Sequence, residues 1–163
     1  MAAILFYLSS GLFLGWSLGA NDAANVFGTA VGSKMIRFKT AAVICSIFVI
    51  AGAVTSGAGA SHTLGKLGAI THIAGAFTVA LSAALSVFLM TKSGLPVSTS
   101  QAIVGGIIGW NFFAGAVTDL EVVRKIALTW VLCPVLSCVF SILLYFLIRN
   151  VLNKAPIHIY RRD

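Results

Sequence analysis

Apolar residues run along this chain in long blocks, not in the alternation of a strand or the one-sided stripe of a soluble helix. A membrane-spanning helix needs about 20 mostly apolar residues. Blocks of roughly that size or longer occupy residues 3–32, 40–58, 73–91, 97–115 and 126–148. The connectors between them are Ser33 to Lys39, which is basic; Gly59 to His72, rich in glycine; Thr91 to Pro96; and Gly115 to Lys125, of mixed charge. This pattern predicts an all-α, polytopic membrane protein, with a membrane domain over residues 1–148 and a basic cytoplasmic tail over residues 149–163.

If all five blocks cross, alternate connectors share a side. Lys34, Arg37, Lys39, Lys92, Arg149, Lys154, Arg161 and Arg162 then face Lys66, Arg124 and Lys125 across the bilayer. The positive-inside rule places the N-terminus outside and the C-terminus in the cytoplasm of a multi-pass cell-membrane protein. A variant fits the same charges: blocks 73–91 and 97–115 form a re-entrant helical hairpin that enters and leaves on the outer side. Lys92 is an inside-facing topology signal in the first case and lies at depth, able to draw in an anion, in the second. The number of full crossings is odd either way, so a second tandem copy would sit upside down. That is the inverted-repeat architecture of many secondary transporters, and this chain carries one unit of it.

Composition agrees with the pattern. The chain is 59% hydrophobic and 9% charged, against about 25% charged in a soluble domain. A net charge of +7 would suggest a nucleic-acid partner if the basic residues were clustered. They lie between apolar blocks, so they read as topology signals and headgroup contacts. Cys45, Cys133 and Cys138 fall inside apolar blocks with no CxxC pair and read as packing residues. The N-terminus lacks the basic region of a secretory signal and reads as a retained membrane segment. Glycines four apart (Gly11, Gly15 and Gly19; Gly28 and Gly32; Gly105 and Gly109) let helix backbones approach closely in lipid.

Two polar interruptions carry the candidate chemistry. The first, Gly19 to Asn25, "GANDAAN", holds the only acid before Asp119. An acid at the centre of a membrane helix costs about 2.5–3.5 kcal/mol on insertion scales. Asn21, Asp22 and Asn25 therefore need interior partners, water or an ion. Their short polar side chains compete for main-chain hydrogen bonds, which predicts a broken helix exposing carbonyl oxygens beside a carboxylate, a cradle for a hard cation. A plain helix cap at the membrane surface is the alternative, but apolar runs flank the motif on both sides. The second interruption, Gly94 to Gln101, reads "GLPVSTSQ". Pro96 ends what precedes it, and Ser98 with Gln101 has the spacing of a capping box, so a helix should start near Ser98. Its free N–H groups and partial positive charge suit an anion, with Ser98, Thr99 and Ser100 adding hydroxyl donors.

A cation site beside an anion site is what coupled transport requires. Enzymatic readings are weak. An intramembrane aspartyl protease needs two embedded acids, and Asp119 and Glu121 lie in a polar connector. A serine hydrolase needs a base near its serine, and His62, His72 and His158 fall in a connector or the tail. An ion channel and a non-transporting accessory subunit remain as alternatives.

At these two motifs the chain resembles the inorganic phosphate transporter (PiT) family. The family signature resembles G-A-N-D-V-A-N-A, and Gly19 to Val26 reads "GANDAANV"; a second element resembles P-[VI]-S-x-[ST]-H, and Pro96 to Gln101 reads "PVSTSQ". The resemblance extends through "GWNFFAG" and the segment after it. It implies an ion-coupled symporter working by alternating access. Asp22 and Asn25 would belong to the cation and phosphate site. Ser98, Thr99, Ser100 and Gln101 would hold phosphate oxygens, and Asn21 would bind the cation or cap the broken helix. The coupling ion would be sodium, at Asp22, or a proton, with no other cofactor. Gln101 stands where many members carry His, which favours sodium. Members normally contain two inverted copies of this unit, so a second half or a homo-oligomer would complete the site.

Overall fold

A computed structural model of the chain describes residues 2–67, 70 and 72–154. Its helices are α1 (Ala2–Gly32), α2 (Phe38–Leu67), α3 (Ile73–Lys92), α4 (Thr99–Ala114) and α5 (Leu120–Lys154), and the described residues contain no strand. Four of the five, α1, α2, α3 and α5, are long and apolar enough to cross a bilayer. With 16 residues, α4 is about 24 Å long, short of the roughly 30 Å hydrocarbon core. The chain is an all-α, multi-pass membrane protein.

Three expectations change. The glycine-rich stretch after Gly59 is not a connector: α2 continues to Leu67. Its glycines are separated by Ala, Ser and Thr, and Ser61 and Thr63 donate back to the carbonyls of Gly57 and Gly59, each at 3.1 Å. His62 consequently lies on a helix. Next, α1 runs unbroken through Asn21, Asp22 and Asn25. Ala20, Ala23 and Ala24 are strong helix formers, and the Asn21 amide is engaged by a distant segment, not by its own backbone. Finally, α5 begins at Leu120 and runs past Arg149 to Lys154. Residues 155–163, with His158, Arg161 and Arg162, lie outside the described residues.

The chain divides into two compact units, the second beginning at Leu120. In the second unit α5 carries exposed apolar side chains along its length and has Pro134 in its interior. Cys133 and Cys138 are exposed on it, not packed.

In the first unit α3 is the central element. Gly75, Val79, Ala83 and Val87, spaced by four, are buried along it, and α1 and α4 pack on it. The helices α1 and α3 run parallel: Phe6 stacks on Phe77 with ring centroids 4.9 Å apart, Trp16 meets Phe88 at 5.7 Å, and Asn21 meets Thr91. The face α1 turns inward is polar and small, with Ser10, Ser17 and Asn21 all buried. In lipid no hydrophobic force drives helices together, so close packing and hydrogen bonds must do it. Running antiparallel to α3, α4 comes close enough that a Cβ on Gly75 would lie 2.7 Å from the Trp110 ring. Asn111, fully buried, donates to the carbonyl of Leu67 at 3.3 Å and to Thr118 Oγ1 at 3.0 Å, tying the end of α2 to α4.

These contacts fix the level of the α3–α4 turn. It lies beside Asn21, and α1 continues from there to Gly32, about 16 Å at about 1.5 Å per residue. The turn therefore stops well short of the basic α1–α2 connection that carries Lys34 and Arg37.

The close approach at Gly75 is testable. Gly75→Val should destabilise the unit by about 1–3 kcal/mol through overpacking against Trp110, lowering the thermal midpoint in detergent. Gly11→Ala, with nothing within 4 Å of the added carbon, should not lower the midpoint, since alanine favours the helix over glycine.

Candidate functional site

The two polar motifs, some 70 residues apart in sequence, meet at the α3–α4 turn. The turn is built by local rules. Gly94 adopts φ +74°, and the N–H groups of Leu95 and Gly94 reach back to the carbonyls of Met90 and Thr91, both at 3.0 Å, closing α3 in a Schellman motif. Pro96 has no N–H to satisfy. Ser98 caps α4: its backbone is extended and its Oγ accepts from the Gln101 N–H at 3.4 Å. The cap is one-sided, since among the described residues the Gln101 side chain makes no return bond.

Asn21 joins this turn to α1. Its Nδ2 donates to the carbonyl of Val97 at 2.6 Å and to Asp22 Oδ1 at 2.7 Å. Its Oδ1 accepts from the Val97 N–H and from Thr91 Oγ1, both at 3.3 Å. Asn21 is 4% exposed. Asp22, half-buried beside it, has its Oδ1 engaged and its Oδ2 without a hydrogen bond among the described residues, and no Lys, Arg or His there lies within 4.0 Å of it. Asn25, a turn further along α1, is exposed and past the level of the turn.

On the other side of the meeting point, Ser98, Ser100 and Gln101 are exposed and Thr99 is buried. The main-chain N–H groups of Ser98, Thr99 and Ser100 have no partner among the described residues, as the first turn of a helix leaves them. The hydroxyl of Thr99 is also buried without a partner, and so is that of Ser17, one turn before Asn21 on the inward face of α1. Lys92 ends α3 at the same turn and is exposed. The cluster therefore offers a carboxylate with a free oxygen, a set of N–H donors at a positive helix end, and several hydroxyls.

Asn21, Asp22, Ser98, Thr99, Ser100 and Gln101 are thus gathered at one turn, with Asn25 at its margin. Two participants were not evident in the sequence. Thr91 reads there as the edge of an apolar block, and only its helical position opposite Asn21 reveals it. Ser17 precedes Asn21 by four residues on one helix face, a spacing that could have singled it out. The small residues of the first motif have a separate use: Ala20, Ala23 and Ala24 line a groove of about 630 Å³ against α2, together with Gly28 and Cys45.

The phosphate transporter family model matches residues 18–162 of the chain. Among curated proteins, two named "putative phosphate permease" are similar: one from Pyrococcus horikoshii, 33% identical over 90% of this chain and 39% of its own length, and one from Pyrococcus abyssi, 34% identical over 98% and 42%. The chloroplastic inorganic phosphate transporter 2-1 of Arabidopsis thaliana is 29% identical over 95% of this chain and 28% of its own. The chain spans about two fifths of the length of the Pyrococcus relatives. No solved structure matches it. The matched span takes in both polar motifs and the turn where they meet, and the chain belongs to the phosphate transporter family.

Proposed function

We propose that the chain is one half of an ion-coupled inorganic phosphate transporter, moving phosphate with sodium or a proton across the cell membrane by alternating access. The observation that carries this reading is the Asn21 bridge, which sets the Asp22 carboxylate beside the N-terminus of α4. Phosphate sits against the free N–H groups of Ser98, Thr99 and Ser100, where the helix end is positive. The three hydroxyls and the Gln101 amide add donors to its oxygens, and Asn25 reaches it from α1. The free oxygen of Asp22 takes the cation, sodium by preference, whose charge offsets both the carboxylate and the incoming anion. Direct contact between that carboxylate and phosphate would be repulsive, so the cation comes between them.

The α3–α4 pair is a re-entrant hairpin in this reading. Its turn lies about 16 Å short of the α1–α2 connection at about 1.5 Å of α1 per residue, and α4 is too short to span. Backbone outside a helix is tolerated at such depth only where protein or water satisfies it. Gly94, Leu95 and Val97 are paired within the protein, and the open N–H groups of Ser98, Thr99 and Ser100 are left to the ligand or water. Lys92 then lies at depth beside the phosphate and attracts it. The N-terminus is outside and the C-terminus cytoplasmic. The fraction of its relatives that the chain spans supports a missing half, supplied as an inverted partner or as a further copy of the chain.

Uptake of radiolabelled phosphate into liposomes, with the chain reconstituted in its complete assembly, tests the core of this reading. An inward sodium gradient should drive uptake, and Asp22→Asn should lower it at least about tenfold, the worth of about 1.4 kcal/mol. Thr99→Val keeps the shape and removes one donor, so KM for phosphate should rise about five- to tenfold, matching about 1–1.5 kcal/mol. A pH gradient driving uptake instead would make the proton the coupling ion. No phosphate uptake in any assembly, with Asp22→Asn indistinguishable from the unsubstituted chain, would leave an accessory subunit as the better account.

The hairpin is tested with an impermeant maleimide after Cys45, Cys133 and Cys138 are replaced. Lys34→Cys should react readily from the cytoplasmic side and Lys92→Cys far more slowly. Equal reactivity would mean two full crossings.

A further inference from the structure

We propose that Asn21 is a positioning residue, not a cation ligand: its amide clamps the turn before α4 onto α1 and thereby holds the anion-binding helix end in register with Asp22. This rests on the site described under Proposed function and assigns one of its residues a different task. A primary amide has two N–H donors and an oxygen with two lone pairs. In Asn21 all four positions are occupied within the protein: the donors by Val97 O and Asp22 Oδ1, the acceptor sites by the Val97 N–H and Thr91 Oγ1. No lone pair remains for an ion.

The geometry also explains why the position holds asparagine. Val97 is the last residue before the Ser98 cap, beyond the reach of either helix ladder, so its N–H and C=O have no regular partner. A half-buried backbone pair left open is costly, and more so in lipid. The Asn21 amide offers one donor and one acceptor side by side and pairs with both, as a neighbouring strand would. Aspartate there would turn an acceptor toward the Val97 carbonyl. Alanine would leave both groups open, and glutamine would be one methylene too long at a buried position. Thr91 extends the clamp to the end of α3, so one side chain ties together α1, the close of α3 and the start of α4. Thr91 is accordingly a second positioning residue.

Hydrogen–deuterium exchange of the full chain in nanodiscs, read by mass spectrometry, tests this without depending on transport. In Asn21→Ala, peptides covering residues 91–101 should exchange about tenfold faster, as when a local opening becomes easier, while peptides from the first half of α1 stay unchanged. Thr91→Val should shift the same peptides less, and Thr91→Ser should restore them; this pair carries the test if Asn21→Ala fails to fold. In parallel uptake measurements, Asn21→Ala should raise KM for phosphate and leave the apparent sodium affinity in place. Unchanged exchange at residues 91–101, or a loss of sodium affinity with KM for phosphate intact, would overturn the clamp. If the unsubstituted chain transports no phosphate in any assembly, the transport reading fails, and the exchange result alone then upholds or overturns the clamp.

Discussion

Hydrocarbon cannot hydrogen-bond a peptide group, so each main-chain N–H and C=O that leaves a helix within the membrane must find a partner in the protein or in trapped water. The α3–α4 turn is where this chain meets that demand. Its first N–H groups return to the carbonyls of Met90 and Thr91, Pro96 contributes no donor, and Val97 is satisfied on both sides by the Asn21 amide. The donors left over belong to Ser98, Thr99 and Ser100, at the positive end of α4. Their availability is therefore selective: the other main-chain N–H groups of the turn, from Ser93 to Val97, are paired or, at Pro96, absent. An anion arriving there meets N–H groups that no other part of the described chain claims.

The same bond decides where the site sits along the bundle. Because α1 and α3 run parallel and meet at Asn21 and Thr91, the turn is level with the middle of α1, not with its end. Packing favours this arrangement. The inward face of α1 is lined by Ser10, Ser17 and Asn21, while Gly75 and Val79 of α3 lie close against Trp110 and Gly106 of α4. At the far end of the hairpin, Asn111 binds the Leu67 carbonyl and Thr118. A buried asparagine thus pins the hairpin at each end, one at its turn and one at its base. At the turn the Asn21 amide uses donors and acceptors together, and at the base Asn111 uses both of its N–H donors; a carboxylate or a lysine at either place would leave a charge unmatched.

Much of this was legible in the sequence because the two signals used were strong. Block length gave the helices of the first unit to within a residue or two, except where α2 runs on through spaced glycines, and the Ser98 cap follows from Pro96 and the S-x-x-Q spacing. The unbroken α1 was not legible. Asn and Asp in a helix favour local backbone bonds when nothing else is offered, and the partner that removes this preference, the Val97 peptide, lies 76 residues away. Thr91 was hidden for the same reason: a threonine at the edge of an apolar block is ordinary until a buried amide stands opposite it. For the candidate site, the motif residues that gather at the turn were readable as a set, but which of them the protein itself pairs and which it leaves open needed the hydrogen bonds.

That difference in pairing bears on what must cover this unit. Facing inward, Asn21 has both donors and both acceptor sites of its amide filled. The groups on the open side, Asp22 with its free oxygen, Asn25, Ser98 and Ser100, are unpaired or exposed. Set directly against lipid, a carboxylate and a row of unpaired donors would carry a large penalty. What lies against that face must therefore be polar: water, ions, or the complementary face of another polypeptide. In the proposed reading an inverted second half supplies that face. The open polar side of this unit and its two-fifths share of the Pyrococcus relatives' length both fit the proposed reading, in which a second polar face closes over the site.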